Sequence, residues 1–221
     1  MKREQDSVIR DQIVTATKGA FLSRGYAAVG MRDVSELSGI GLSQLYAYFD
    51  SKESILRAVL SPLDRSISKL FEKEETQLQS PDLLFSSEAY QEMWVREMVT
   101  FSINHRQELA FVQRYLGEPE VRKYWTEQLE KAVDRSMHFM SRLSLLLSEK
   151  IEPVSPLFIR HQTTNWMNVM LLVASTDDLS ETGLEDFIKD YVYFGTGGWQ
   201  WLLLPECRVA LPRDNDRVPK A

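Results

Sequence analysis

Between positions 31 and 49, the hydrophobic residues fall into two short groups that are separated by glycine. The first group recurs at three-residue steps and predicts a short helix over residues 31–38. Its inward positions are expected to be Met31, Val34 and Leu37. Gly39 has no Cβ and allows the backbone to turn sharply. After this turn and Gly41, the second group predicts another short helix over residues 42–49.

The second of these helices has two different faces. At 100° per residue, its apolar arc is expected to pack inward and consists of Leu42, Leu45, Tyr46 and Phe49. The opposite arc stays free and consists of Ser43, Gln44, Ala47 and Tyr48. Ser51 is a good N-cap for a further helix that starts at Lys52, which places this ammonium beside the free arc and available to a phosphate. This arrangement is typical of a helix-turn-helix that presents one helix to DNA.

The hydrophobic pattern of the remaining chain predicts helices and no strand of any length. A first helix over 7–24 ends at Gly25 and braces the motif. Later helices are expected at 52–79, 87–104, 107–116, 119–150, 156–176 and 183–203. We therefore predict an all-α fold with a three-helix DNA-binding domain at 1–56, a larger helical-bundle domain at 57–204 and a loosely held, Pro-rich tail at 205–221.

Composition agrees with a globular protein, since 43% of the residues are hydrophobic and 26% are charged. The single cysteine, Cys207, excludes an internal disulfide and favours a reducing compartment, so we expect the cytoplasm. We expect no signal peptide, because the start MKREQDSVIRDQI has no apolar run. The longest apolar stretch, residues 169–174, is far too short to cross a membrane.

The net charge of −6 at first argues against nucleic acid as a partner. Residues 1–60, however, carry eight Lys and Arg against seven Asp and Glu, so the acidic excess lies in the rest of the chain. A nearly neutral head predicts modest nonspecific affinity for DNA and binding that relies on two heads acting together.

Two motifs, FLSRGY at 21–26 and YAYFDSKE at 46–53, resemble the DNA-binding domain of TetR-family transcriptional regulators. The resemblance covers about the first sixty residues. It implies that Ser43, Gln44 and Tyr48 approach bases or phosphates. It also implies that Tyr46 and Lys52 hold the DNA backbone and that Arg32 touches a phosphate.

Three positions depart from the family pattern. Gly30 and Gly41 stand where hydroxyl residues usually cap the two helices of the motif, which removes a possible phosphate contact. Leu42 stands where the family often has Lys and could instead meet a thymine methyl group. The resemblance implies a sequence-specific transcriptional regulator, most commonly a repressor released by a small-molecule effector, that binds a palindromic double-stranded operator.

The last two predicted helices carry apolar stripes that match each other. We expect a homodimer interface there, since the resemblance implies a four-helix interface and a helix-turn-helix reader gains specificity from two half-sites. Its candidate residues are Trp166, Val169, Val173, Phe187, Tyr191, Gly195, Gly198, Trp199 and Leu202. The alternative is that both stripes only fill the core of one subunit.

The middle helices are rich in aromatic and Met residues, which could line a chamber for an apolar or aromatic small-molecule effector. The candidate residues are Met93, Trp94, Phe101, His105, Phe111, Tyr115, Trp125, Trp166 and Met170. Polar groups that could orient such a ligand are Gln113, Arg114, His105 and Asn165. The alternative is that these side chains form plain core.

Signatures of catalysis and of cofactor binding are absent from the sequence. The histidines His105, His138 and His161 have no partner at metal-ligand spacing, so we expect no metal. No phosphate-binding glycine loop and no nucleophile elbow occurs, so we expect no cofactor and no enzyme. Two other functions remain open: a helical small-molecule carrier or enzyme with a vestigial helix-turn-helix, and an adaptor whose head binds protein.

Overall fold

The computed structural model describes residues 2–76, 88–147, 153–176 and 179–200, and within these ranges it contains nine helices and no strand. The all-α prediction is thereby confirmed. The helices are α1 (Lys2–Arg24), α2 (Met31–Ser38), α3 (Leu42–Tyr48), α4 (Lys52–Thr76), α5 (Glu88–Asn104), α6 (Arg106–Tyr115), α7 (Pro119–Leu146), α8 (Pro156–Ala174) and α9 (Glu181–Gln200). The expected tail at 205–221 lies outside the described residues. None of the described helices is both long enough and apolar enough to cross a membrane.

Helix α2 packs through Val34 and Ser38, and the prediction for Leu37 is wrong. Val34 is fully buried and Ser38 is 5% exposed, whereas Leu37 is 47% exposed. The Ser38 hydroxyl donates to the carbonyl of Val34 at 2.7 Å, and the Gln12 amide of α1 donates to the carbonyl of Ser38 at 2.9 Å. Because its polar groups are satisfied locally, Ser38 can be buried against α1, which turns Leu37 to solvent.

Helix α3 packs through only two of its four expected apolar residues. Leu45 and Phe49 are buried, whereas Leu42 is 37% and Tyr46 is 51% exposed. A helix of seven residues that contacts α1 and α2 along one edge needs only a stripe of spacing i, i+4. The expected apolar arc was therefore too wide, and the exposed surface of α3 is larger than the sequence pattern indicated.

One continuous apolar core joins the head, helices α1 to α3, to the body. Helix α4 connects the two parts of this core. Four of its side chains are fully buried between the head and the body: Ile55, Leu56, Leu60 and Leu63. A second, smaller apolar cluster in the body consists of Tyr90, Phe139, Met140, Leu143, Leu147 and Ile159. Pro62 lies inside α4 without ending the helix.

Helix α4 is tied to α7 by polar contacts. The Arg57 guanidinium donates to both carboxylate oxygens of Glu127, at 2.6 and 2.9 Å, and also to Glu53. This pairing holds the pKa of Glu127 below its usual range. Farther along α4, the Tyr124 hydroxyl donates to the carboxylate of Asp64, whose pKa is raised by burial. These contacts fix the first half of α4 against the body.

Helix α6 and the turn after it hold the rear of the head. Lys18 of α1 forms an ion pair with the buried carboxylate of Glu108 at 2.6 Å. The Glu118 carboxylate accepts a hydrogen bond from the backbone N–H of Ala27 at 2.9 Å. The ring of Tyr115 lies directly against Gly25, which has a positive φ of 88°. The head thus contacts the body through α6 as well as through α4.

Replacing Gly25 with Ala is expected to lower the free energy of unfolding by about 2–3 kcal/mol. An L-residue is strained at this φ by about 1–2 kcal/mol, and its Cβ would lie 2.6 Å from the Tyr115 ring. Gly39 has a φ of 68° but open space around it, so Gly39→Ala should lower the free energy of unfolding only by the backbone strain. Gly19→Ala lies inside α1, where an added Cβ has no neighbour within 4 Å, and it should raise the free energy of unfolding by about 0.5–1 kcal/mol. Urea denaturation measures all three, and equal losses for Gly25→Ala and Gly39→Ala would exclude the ring contact as a cause.

Candidate DNA-binding surface and body cavity

The outer surface of α3 offers uncommitted polar groups. The side chains of Ser43 and Gln44 are exposed and form no hydrogen bond within the described ranges. Tyr46 and Leu42 flank them and are also exposed. Ser43 and Gln44 form a polar strip on the side of the helix away from Leu45 and Phe49, which anchor it, and Leu42 and Tyr46 border this strip. Such a strip can approach the edges of base pairs, because an α-helix fits the major groove of B-DNA.

Tyr48 makes more contacts within the protein than the sequence pattern indicated. Its side chain is half-buried against the core, and its hydroxyl donates to the Asp6 carboxylate at 3.4 Å. Arg10 of α1 donates to the carbonyl of Tyr48 at 2.6 Å and lies 4.1 Å from the centre of the Phe49 ring. Tyr48 and Arg10 thus fix the end of α3. The contribution of Arg10 was missed, because no local pattern relates residues 38 positions apart.

Lys52 is held inside the head. Its ammonium donates to the carbonyl of Tyr26 at 2.9 Å and lies 4.0 Å from the centre of the Tyr26 ring. Burial, together with the nearby carboxylates of Glu120, Glu53 and Glu118, raises the pKa of Tyr26 to about 12. Lys52 thus has a partner within the protein, and its contact with a phosphate stays a prediction.

The start of α2 is capped without a hydroxyl. Gly30 is the N-cap, and its backbone N–H donates to the Asp33 carboxylate at 2.7 Å. That bond, aided by Arg24, holds the pKa of Asp33 below its usual value. Arg32, one residue into the helix, is exposed and forms neither a hydrogen bond nor an ion pair within the described part of the chain. Its guanidinium is available to an external anion. Gly41 likewise caps α3 without a side-chain hydrogen bond.

A cavity of about 430 Å³ lies in the body between the main core and the second apolar cluster. Helices α4, α5, α7, α8 and α9 each contribute to its wall. The lining residues are Leu70, Phe71, Glu74, Tyr90, Trp94, Met98, Ser136, Phe139, Met140, Phe158, Ile159, Gln162, Thr163, Asn165, Trp166, Tyr191, Val192, Phe194 and Gly195. Apolar and aromatic walls with a few polar groups are typical of small-molecule sites.

Only two of the nine candidate effector residues, Trp94 and Trp166, line this cavity. Among the polar groups proposed to orient a ligand, Asn165 lines it, and its amide donates to the hydroxyl of Tyr191 at 3.2 Å. The other seven candidates, which the structure places elsewhere, are Met93, Phe101, His105, Phe111, Tyr115, Trp125 and Met170. Helical periodicity identifies the buried face of a helix, but it does not distinguish a face that meets another helix from one that meets a void.

These seven candidates have other contacts in the structure. Phe101, Phe111, Trp125 and Met170 belong to the main core, and Met93 packs against the second cluster. Tyr115 lies against the head at Gly25. His105 caps α6, its Nε2 is 2.7 Å from the Ser66 hydroxyl of α4, and burial lowers its pKa. The residues that the sequence reasoning missed, such as Tyr90, Phe139 and Met140, share the same aromatic and Met signal.

The outer sides of α8 and α9 carry two stripes without a charged residue, which together we call the α8/α9 face. On α8 the stripe consists of Phe158, Gln162, Asn165, Val169 and Leu172, and on α9 of Phe187, Tyr191 and Phe194. Leu172 is 60% and Phe194 is 84% exposed. The rings of Phe187 and Tyr191 stack at 6.2 Å with an interplanar angle of 11°.

The α8/α9 face agrees only in part with the candidate dimer residues. Val169, Phe187 and Tyr191 belong to it, and Trp166 and Gly195 lie beside it in the cavity wall. Val173 is 5% exposed and lies in the subunit core, so it is not available to a partner. Gly198 and Trp199 belong to α9, but the structure describes only the backbone there. Leu202 lies outside the described residues.

Replacing Lys52 with Met is expected to lower the free energy of unfolding by about 1–2 kcal/mol. The variant loses the hydrogen bond to Tyr26 and the contact with its ring. Arg32→Met, at an exposed site without a partner, should change the stability by less than about 0.5 kcal/mol. Urea denaturation of both variants checks this, and a Lys52→Met protein as stable as the wild type would contradict the structural role.

Comparison with known proteins identifies the head. The family model for bacterial regulatory proteins of the tetR family matches residues 13–59, which run from α1 into α4. The HTH-type transcriptional repressor ComR of Escherichia coli is 38% identical over 69 residues, which are 31% of each chain. The HTH-type transcriptional regulator TtgR of Pseudomonas putida is 29% identical over 75 residues, 34% of this chain and 36% of that protein. The matches thus span about one third of these relatives.

The likeness in fold extends to the body. The structure of the transcriptional regulator FadR from Bacillus subtilis, solved in complex with stearoyl-CoA, superposes with a TM-score of 0.56 at 14% identity. The superposition covers 83% of this chain and 97% of that one. The head is thus similar in sequence to the bacterial regulatory proteins of the tetR family, and the helical fold of the chain is similar to that of solved transcriptional regulators.

Proposed function

We propose that this protein is a sequence-specific DNA-binding transcriptional regulator that acts as a homodimer and responds to a small molecule in its body cavity. The observation that carries the proposal is the exposed, unbonded polar strip of α3 in a head that matches the family model. Residues 1–56 form the DNA-binding domain and residues 57–204 the effector-binding and dimerisation domain. No catalytic role is included, and the protein acts on DNA in the cytoplasm.

In the proposed complex, α3 enters the major groove. Gln44 can pair with an adenine through two hydrogen bonds, and Ser43 can contact either kind of base. Leu42, which is partly exposed, can meet a thymine methyl group. The Tyr46 hydroxyl and the Arg32 guanidinium lie at the edges of this surface and suit the phosphates on either side.

Two copies are needed for selective binding. The head carries a charge of only about +1, so nonspecific attraction to DNA is weak and one head has few contacts. Two heads related by a twofold axis read two half-sites one helical turn apart, which makes the operator palindromic. We infer that the α8/α9 face joins the two copies, because six of its eight residues are aliphatic or aromatic and none is charged.

The cavity is connected to the head through α4. Leu70, Phe71 and Glu74 near the end of this helix line the cavity, whereas its first residue, Lys52, contacts Tyr26 in the head. The two positions of α4 correspond to two separations of the heads. A ligand that favours one of them shifts the equilibrium between the two states by an amount set by the difference in its affinity for them. Repression that the ligand relieves is the proposed direction, in keeping with the repressor ComR among the relatives.

Substitutions on α3 and α2 test the DNA-binding mode against an operator found by sequencing the genomic fragments that the purified protein retains. Gln44→Ala is expected to weaken operator binding at least tenfold with little effect on random DNA, because it removes a base contact. Arg32→Gln should weaken binding to both and reduce the slope of log affinity against log salt by about one per subunit. Fluorescence anisotropy at several salt concentrations measures both effects.

Arg65→Gln provides the matched control, since Arg65 is an exposed arginine of α4 that lies well away from α3. It should bind as the wild type does. If Gln44→Ala, Arg32→Gln and wild-type protein bound the operator alike, α3 would not be the reading helix.

Filling the cavity tests the effector half of the proposal. Met140→Trp replaces a thioether in the cavity wall with a bulkier indole ring. It should weaken the binding of the neutral fluorescent probe N-phenyl-1-naphthylamine at least tenfold without weakening operator binding. Leu146→Trp introduces the same ring at a position of α7 that is 53% exposed and outside the cavity, and it should leave probe binding unchanged. Equal probe affinity of the two variants would place the probe outside the cavity.

A further inference from the structure

Ala47 lies at the centre of the exposed side of α3. The helix is anchored by the buried side chains of Leu45 and Phe49. Ala47 is two residues from each of them, so it lies about 160° around the helix from both. Its side chain is exposed, and the exposed residues Ser43 and Gln44 lie on either side of it, one turn earlier. The side chain that faces most directly away from the core of the head is therefore a methyl group.

The two bulkier exposed side chains of α3 lie nearer to its buried side. Leu42 is two turns before Phe49 and almost in line with it, and it is 37% exposed. Tyr46 follows Leu42 by about one turn and is 51% exposed. A base edge that approaches the middle of the outer side of α3 thus meets Ala47 before it meets Leu42.

Helix α3 contains no charged residue in its sequence LSQLYAY. Guanine is most often recognised by arginine or lysine through its O6 and N7 atoms, and cytosine by a carboxylate that accepts a hydrogen bond from its N4 amino group. Neither kind of side chain is present on α3. The glutamine amide suits N6 and N7 of adenine, and an alanine methyl group suits the C5 methyl group of thymine. The chemistry of this helix therefore favours A·T pairs over G·C pairs.

Gln44 and Ala47 are spaced to contact neighbouring base pairs. Residues three apart on a helix have Cβ atoms about 5–6 Å apart, and successive base pairs of B-DNA are about 3.4 Å apart. The Gln44 side chain forms no hydrogen bond within the described ranges, so its oxygen and its nitrogen can both pair with one adenine. The two residues together can select A·T pairs that lie one or two steps apart.

We propose that α3 reads A·T base pairs and that Ala47 determines part of this specificity by contacting a thymine methyl group in each half-site. The inference rests on the proposed function, which supplies DNA as the partner. It names the base pairs that α3 selects, and it does not extend to contacts of α2. Because the thymine methyl group leaves water in the complex, its removal should weaken binding about fourfold in each half-site.

Replacing thymine with uracil tests the methyl contact, because the two bases differ only in the C5 methyl group. The probe is the tightest-binding duplex that the purified full-length protein selects from a random library. Each thymine of a half-site is replaced in turn, together with its symmetry mate in the other half-site, and fluorescence anisotropy measures the affinity. At one thymine position, uracil should weaken wild-type binding about 16-fold, which is about fourfold for each half-site.

Substitutions at position 47 should abolish this preference for thymine. Ala47→Gly removes the methyl group that contacts thymine, so it should bind the thymine and uracil duplexes equally. Glycine also weakens the helix, but this lowers the affinity for both duplexes and cancels in their ratio. Ala47→Ser is a second variant with a smaller cost to the helix, and its hydroxyl should likewise bring the ratio close to one. Circular dichroism confirms that each variant is folded.

Leu42→Ala is the matched control, because it shortens the other exposed aliphatic side chain of α3 and keeps a good helix former. It should retain the wild-type ratio at the thymine position that responds to Ala47. If Leu42→Ala lost the preference for thymine while both variants of Ala47 kept it, the assignment to Ala47 would be overturned.

The sequences selected from the library provide a second readout. Selection is repeated with Gln44→Ala and Ala47→Gly, and the positions at which these variants relax the base preference should be A·T pairs in the wild-type site. G·C pairs at those positions would contradict the inference.

The remaining outcomes separate this inference from the proposed function. A wild-type protein that binds its selected duplex but responds to uracil at no position would overturn the inference, while sequence-specific DNA binding would stand. A wild-type protein that selects no sequence from the library would overturn both.

Discussion

The continuous apolar core along α4 is the constraint on which the rest of the structure depends. Ile55, Leu56, Leu60 and Leu63 are buried on one helix between the head and the body, so neither part can separate without exposing them. Burial of such side chains contributes about 1.5–3 kcal/mol each, which exceeds the worth of the partly exposed ion pairs nearby. The polar contacts of Arg57 and Asp64 therefore mainly select the orientation of α4 against α7.

The sequence predicted the helices well and the use of their faces less well. The bounds of α2 agree, and those of α3 and α6 agree to within about one residue, because glycine lies at or near the ends of these short helices. Leu37, Leu42 and Tyr46 were expected inside and are exposed. In helices of seven or eight residues, one buried serine or one tight contact decides the rotation, and the apolar count alone is too small to do so.

The site was predictable where it depends on local motifs and not where it depends on long-range packing. The exposure of Ser43 and Gln44 follows from their position on α3, opposite Leu45 and Phe49. The bond between Lys52 and Tyr26, and the cavity between two apolar clusters, join residues far apart along the chain. A void has no sequence pattern of its own, which explains why one candidate, Trp94, lines the cavity whereas another, Phe111, lies in the main core.

The position of the cavity relative to α4 bears on how a ligand could act under the proposed function. The described hydrogen bonds and ion pairs between α4 and α7 lie at Glu53, Arg57 and Asp64, whereas the cavity borders the helix only at Leu70, Phe71 and Glu74. At about 1.5 Å per residue, the cavity is about 10 Å beyond the last tie, and Lys52 is about 18 Å on the other side of it. A ligand that displaces the cavity end of α4 can therefore turn the head only by straining these contacts along the first half of the helix. The Lys18–Glu108 ion pair and the contact of Tyr115 with Gly25 oppose that motion, so the ligand must favour the turned state by more than these contacts stabilise the resting one.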